Sequence, residues 1–161
     1  MPARRGTWCS ATVLALRPSP SWWIGSVRRR AAGAAEAAAA GDIVGVTVPL
    51  KASRPVPVEP LRGKPVIDIN NYYPDRDGHI AELDDESTTV TEALVSLLRP
   101  AAGPSAGVAR GKALNNLYVT HRATLPRPAG HSERSVLPIA GDDAEAKQAE
   151  TDFLDSIGYD A

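Results

Sequence analysis

The sequence predicts an α/β fold in which helices flank a parallel sheet. Two apolar runs rich in β-branched residues, at 42–49 and 64–71, are typical of strands covered on both faces. Helical patterns alternate with these runs, which indicates βαβ units and therefore parallel strands. A length of 161 residues with 43% hydrophobic residues is sufficient for one packed domain.

The first predicted elements begin at residue 31. Residues 31–40 contain eight alanines, the strongest helix former, and Gly41 is a typical helix end. The run at 42–49 is the first predicted strand. A loop rich in proline and arginine leads to the second predicted strand at 64–71, which ends in two asparagines.

Three further elements continue the alternation. A helix is predicted over 86–98, because its apolar residues recur at helical spacing. Residues 136–141 predict another strand. The last predicted helix covers 143–157, with Asp142 or Asp143 as its N-cap.

Residues 1–30 predict an irregular or disordered leader. The first 41 residues carry six arginines and one acid, a net charge of +5, whereas the remainder has a net charge of -6. All three tryptophans lie within the first 23 residues, and no hydrophobic periodicity begins before Ala31. Three interpretations stay open: a secretory signal, a basic arm for nucleic acid, or a segment translated out of frame.

Several motif matches fail on chemical grounds. The Gly-x-Ser-x-Gly pattern at 103–107 follows no predicted strand, and no acid lies between Ser105 and the later histidines. The acidic segment 75–86 has Ile80 where a calcium loop needs glycine. A single cysteine excludes a disulfide framework and a cysteine-based zinc site, so no metal is expected.

The predicted sheet indicates where a ligand would bind. Ligands of parallel α/β sheets bind beyond the carboxyl ends of the strands. In this chain those ends correspond to residues 48–50, 70–71 and 141–142. This argument locates a site and does not identify its ligand.

Several segments resemble one enzyme family in amino-acid sequence. They are GDIVGVTVPLK at 41–51, GKPVIDINNYYPDRDGH at 63–79, KALNNLY at 112–118, LPIAGDD at 137–143 and LDSIGY at 154–159. These segments resemble the NADP oxidoreductases that use the deazaflavin coenzyme F-420, whose dinucleotide-binding domain is similar to that of pyrroline-5-carboxylate reductase. The resemblance covers roughly residues 31–161, with a break at 99–111.

The resemblance implies a Rossmann-like domain and direct hydride transfer between NADP(H) and a bound deazaflavin or similar acceptor. Such a reaction depends on alignment of the two reacting carbons and implies no catalytic acid, base or nucleophile. The matching cofactor-binding positions are Thr47, Val48, Pro49, Leu50, Asn70 and Asn71. Asn115 matches a position facing the second substrate. Turn formation after a strand is the alternative role for Asn70 and Asn71.

One departure from the family pattern concerns the phosphates of the cofactor. Family members open with a Gly-x-Gly-x-x-Gly turn that admits the pyrophosphate, whereas Gly25, Gly33 and Gly41 are isolated here. We therefore interpret residues 31–161 as a partial NAD(P)-binding domain in a truncated and partly frame-shifted family member. Translating the coding DNA in the other frames upstream of residue 31 tests this interpretation.

The sequence thus leaves two functional hypotheses. The first is an NADP-linked oxidoreductase, and the second is a non-catalytic remnant or interaction module without a phosphate-binding loop. We expect a cytoplasmic protein whose partners are small molecules, with no nucleic acid and no membrane, since the net charge is -1 and no run of apolar residues is long enough to span a bilayer. The oligomeric state does not follow from the sequence.

Overall fold

A four-stranded mixed sheet forms the centre of the protein. The computed structural model describes residues 12–16, 32–102, 110–118, 120–121 and 124–161. The strands are β1 (Thr12–Leu16), β2 (Ile43–Thr47), β3 (Val66–Asp68) and β4 (Arg110–Lys112), in the spatial order β1-β2-β3-β4. Strands β2, β3 and β4 are parallel, and β1 is antiparallel to β2. The predicted α/β class with a parallel sheet is confirmed.

Strand β1 lies in the segment for which the sequence predicted no element. Its register pairs Thr12 with Thr47 and Leu16 with Ile43, so that β1 follows β2 along its whole length. Its five residues, TVLAL, form a short and mostly apolar run, and periodicity alone does not distinguish a strand from other structures in so short a run. The three tryptophans lie outside the described residues.

The helices agree with the prediction more closely than the strands do. They are α1 (Ala34–Ala40), α2 (Pro74–Asp77), α3 (Ala81–Asp84), α4 (Val90–Ala102) and α5 (Ala144–Ser156). Helix α1 ends at Gly41, as predicted. Asp143, one of the two predicted caps, accepts a hydrogen bond from the Ala146 N–H at 2.9 Å and so caps α5.

Helix α4 begins four residues later than predicted, because a capping box defines its start. The Glu92 carboxylate accepts from the Thr89 N–H at 2.8 Å, and the Thr89 hydroxyl accepts from the Glu92 N–H at 3.2 Å. This reciprocal pair satisfies backbone donors that the first turn of a helix leaves without partners. Residues 86–88 therefore lead into the helix as a loop.

The prediction of a strand over 136–141 is wrong. Within this segment, pairing is confined to single bridges, from Ala140 to Lys112 and from Val136 to Asp160. Pro138 lacks the N–H that a ladder requires, and Val136 is 66% exposed. Strand β4 occupies residues 110–112 instead, where the sequence has no apolar run to indicate it.

Two hydrophobic cores cover the two faces of the sheet. On one face, helices α1 and α4 contribute Ala38 and Leu94 to a cluster with Val44, Val46 and Val66. On the other face, α5 contributes Phe153 and Leu154 to a cluster that includes Ile43, Ile67 and Leu114. Side chains alternate between these faces along β2 and β3, as buried strands require.

The described helices fall short of the length and apolar content that crossing a bilayer requires.

Candidate functional site

The carboxyl ends of β2 and β3 are joined by a buried asparagine. The Val48 N–H, directly after β2, donates to Asn70 Oδ1 at 2.7 Å. Asn70 follows β3 and is 3% exposed. The structure therefore places these two predicted site residues in direct contact.

A second pair of asparagines joins the ends of β3 and β4. Asn71 Nδ2 donates to the Asn115 backbone oxygen at 2.8 Å, and Asn115 Nδ2 donates to Asn71 Oδ1 at 3.2 Å. Leu114, just before Asn115, has a φ of 61°, a left-handed conformation that is uncommon for a non-glycine residue. Such a conformation is kept when its surroundings enforce it, and the reciprocal amide pair lies at the residue directly after Leu114.

The remaining predicted cofactor-binding residues lie at the same edge with different exposure. Thr47 is the last residue of β2 and is half-buried, as is Pro49. Leu50 is 1% exposed and belongs to the core beneath α1 and α4. The Leu50 side chain therefore packs in the hydrophobic core next to this edge.

An ionic network at this edge was missed by the sequence analysis. Asp68, which is 2% exposed, accepts from the Asn70 N–H at 2.8 Å through Oδ1 and from the Thr91 hydroxyl at 2.6 Å through Oδ2. Lys112 Nζ lies 3.2 Å from Asp68 Oδ2 and donates to the Asn70 carbonyl at 2.8 Å. The carboxyl end of β3 is thus held by α4 on one side and by β4 on the other.

The signal for this network was present in the sequence. Asp68 interrupts an otherwise apolar strand, and a buried carboxylate needs partners because its desolvation is costly. The partners could not be identified, since Thr91 and Lys112 are 23 and 44 residues away along the chain.

One donor at the edge has no acceptor among the described residues. Asn70 Nδ2 is buried, while Oδ1 of the same side chain is held by Val48. Buried side-chain donors are normally paired. Asn70 Nδ2 is therefore a buried donor for which the described residues supply no acceptor.

The third predicted position, residues 141–142, is displaced from this edge. Because Ala140 pairs antiparallel to Lys112, the chain runs back along β4, and Gly141 lies against the backbone of Arg110 and Gly111. Gly141 therefore lies toward the amino end of β4. The prediction that residues 141–142 lie beside residues 48–50 and 70–71 is wrong, because it assumed a parallel strand at 136–141.

A charged rim adjoins the asparagines. Arg76 Nη2 donates to the Asn71 carbonyl at 2.6 Å, and the guanidinium lies 4.9 Å from the centre of the Tyr73 ring. Lys51 donates to the Arg76 carbonyl. Burial raises the pKa of Asp77, but hydrogen bonds from Arg76 and the Tyr73 N–H outweigh it and lower that pKa below its usual value.

Metal ions in proteins are bound by groups of His, Cys, Asp and Glu side chains. No group of three or more of these side chains comes together in the described part of the chain in a way that could hold an ion. What the edge offers a ligand is a set of amide groups, backbone groups and one lysine.

Comparisons with known proteins bear on the fold. No protein-family model matches the sequence, and no curated protein matches it significantly. A solved structure, that of a hypothetical protein SMa0349 from Sinorhizobium meliloti, is similar with a TM-score of 0.58 and 23% sequence identity. The match covers 79% of this chain and 57% of that chain. At this level of identity the likeness shows the fold alone.

Proposed function

We propose that the protein is an NADP-linked oxidoreductase that transfers a hydride between NADP(H) and a bound deazaflavin or similar acceptor. The proposal rests on the sequence resemblance of segments 41–51, 63–79 and 112–118. It is supported by the meeting of Val48, Asn70, Asn71 and Asn115 at the carboxyl edge, where parallel sheets bind nucleotide cofactors.

The observation that carries the proposal is the half-satisfied amide of Asn70. Its Oδ1 is occupied by the Val48 N–H, whereas its Nδ2 has no acceptor among the described residues. The carboxamide of nicotinamide has a carbonyl oxygen of the kind that this donor requires. For Asn70 to hold that carbonyl, the edge beside Val48 and Pro49 would have to open, because Nδ2 is buried.

The chemistry assigned to the protein is positional. NADP(H) supplies the hydride when bound, and the protein aligns donor and acceptor and limits water. Two sets of polar contacts hold the edge together. One is the pair of hydrogen bonds between Asn71 and Asn115, and the other is the Lys112 ammonium group, which contacts Asp68 and the Asn70 carbonyl. Asn115 would face the second substrate, across the edge from Asn70.

A second candidate function is favoured by a specific feature of the sequence. The chain contains no Gly-x-Gly-x-x-Gly turn, so the described edge fits the nicotinamide half of the cofactor and the sequence lacks the usual pyrophosphate site. A non-catalytic interaction module that retains the fold is consistent with that absence.

Titration of NADPH, followed by its fluorescence, separates the two functions. We expect saturable binding with a Kd below about 1 mM, and weaker binding by Asn70→Ala. Asn116→Ala, an exposed neighbour of Asn115, is the matched control and should bind as the unaltered protein does. Reduction of coenzyme F-420 by NADPH is then followed by the loss of its absorbance. Absence of NADPH binding by the folded protein would favour the interaction module.

A further inference from the structure

A glutamate in the middle of α5 is fully buried. Glu150 is 0% exposed, and among the described residues neither of its carboxyl oxygens has a hydrogen-bond partner. An ionised carboxylate in such a place loses its hydration without compensation, so the neutral acid is the form that the packing favours.

The carboxyl group lies directly against β4. A Cβ atom built at Gly111 would overlap the carboxyl carbon and oxygens of Glu150. Gly111 pairs with Ile67 of β3, whose side chain belongs to the core beneath α5. The absence of a side chain at Gly111 is therefore what lets the Glu150 carboxyl group lie against β4.

The charges around Glu150 do not compensate it. The elements packed with it carry the following charged or titratable groups: Asp68 on β3, Arg110 and Lys112 on β4, Glu145, Lys147, Asp152 and Asp155 on α5, and Tyr159 beyond α5. None of these donates a hydrogen bond to Glu150. Lys112 points to the opposite face of the sheet, where it pairs with Asp68. Burial, and secondly the charge of Asp68, raise the pKa of Glu150 to about 7.

The packing of α5 on β4 extends to the candidate site. Ala113 and Leu114, which follow β4, share one core with Phe153 and Leu154 of α5. The next residue, Asn115, makes the reciprocal hydrogen bonds to Asn71. A weaker contact between α5 and β4 would therefore release the Asn115 end of the site.

We propose that Glu150 is a proton-dependent latch between α5 and the sheet. In its neutral form it packs on Gly111 and holds residues 113–115 in place. When it ionises, the carboxylate requires water, the α5–β4 contact loosens, and the Asn71–Asn115 pair opens. This inference concerns regulation by protons and does not depend on the proposed cofactor chemistry.

The pH dependence of unfolding tests the latch. A folded-state pKa above the unfolded value stabilises the protein at low pH, and that stabilisation is lost as pH rises toward the folded-state pKa. Between pH 5 and 8, the unfolding equilibrium constant of the unaltered protein should rise on the order of 100-fold relative to that of Glu150→Gln. Glu145→Gln, an exposed position in the first turn of the same helix, is the matched control and should follow the unaltered protein. A ratio that is constant with pH overturns the proposal.

Hydrogen exchange tests the connection to the site. After correction for intrinsic rates, the amides of residues 113–116 should lose about tenfold in protection between pH 5 and 8 in the unaltered protein and keep it in Glu150→Gln. Equal protection in both proteins at both pH values overturns the latch.

A double-mutant cycle at Gly111 covers the case in which Glu150→Gln does not fold. Gly111→Ala should destabilise the unaltered protein strongly. In the Glu150→Ala background the same substitution should destabilise much less, because the carboxyl group with which the new Cβ clashes is absent. Additive effects of the two substitutions would contradict the contact on which the latch rests.

Discussion

Asn70 stabilises the edge through a single amide oxygen. Replacing it by alanine leaves the buried Val48 N–H without an acceptor, which costs the desolvation free energy of that group. We expect Asn70→Ala to lower the free energy of unfolding by about 1–3 kcal/mol in urea denaturation. Asn116→Ala should change it by less than about 0.5 kcal/mol. Equal effects of the two substitutions would show that the Val48–Asn70 bond does not hold the edge.

Lys112 stabilises the fold by pairing with the buried carboxylate of Asp68. Its side chain is 23% exposed, whereas that of Asp68 is 2% exposed, so removal of the ammonium leaves a buried carboxylate with neutral donors only. Lys112→Met should therefore destabilise the fold by about 2 kcal/mol, less than for a fully buried pair because water reaches the lysine. Thermal unfolding checks this against Lys147→Met, whose lysine has no place in the network. An unchanged melting temperature for Lys112→Met would contradict the role assigned to the ion pair.

At the scale of elements, the ends of helices follow rules that are local in sequence. The capping box of Thr89 and Glu92 defines the start of α4, and Asp143 caps α5. Strands are less local. Strand β4 is three residues long with glycine at its centre, and it exists because β3 pairs with it. The segment 136–141 has the composition of a strand, but Pro138 interrupts the ladder that it would need.

The cap of α5 gives a prediction at this scale. Asp143→Ala removes the acceptor for the Ala146 N–H and should lower the free energy of unfolding by about 1 kcal/mol. Asp142→Ala, one residue earlier and exposed, is the control and should have little effect. Urea denaturation distinguishes them, and a larger loss in Asp142→Ala would mean that the cap is assigned to the wrong residue.

For the whole molecule, carboxyl groups with opposite pKa shifts predict where stability is greatest. Hydrogen bonds lower the pKa of Asp84, through Tyr72 and His79, and that of Glu92, through Thr89. Their stabilisation is lost as pH falls below the usual carboxyl range. The contribution of Glu150 has the opposite sign and is lost as pH rises toward about 7.

The melting temperature should therefore be highest near roughly pH 5, between these two losses. Measurement of thermal unfolding from acidic to alkaline pH checks this prediction. In Glu150→Gln the maximum should move to higher pH, because the loss on the alkaline side is removed. A maximum near neutral pH in the unaltered protein would contradict it.

Some residues of the candidate site could be predicted from the sequence and others could not. The predicted strand ends and the resemblance both indicate Val48, Asn70 and Asn71, whereas Asn115 follows from the resemblance alone, and the structure places the four together at one edge. Their role in binding NADP(H) stays a prediction. Asp68 and Lys112 were not chosen, because a charge pair between two strands 44 residues apart leaves no pattern in a single sequence.

The sequence by itself determined the α/β class, the end of α1, the position of α5 and the two central strands, because alanine content, capping residues and apolar runs act within a few neighbouring residues. Only the tertiary structure decided that Thr12–Leu16 forms an edge strand, that β4 lies at 110–112, and that Glu150 is buried on Gly111. Each of these depends on a partner far along the chain. Strand pairing and the desolvation of a carboxyl group both depend on such distant partners, and they arise when the sheet and α5 pack together.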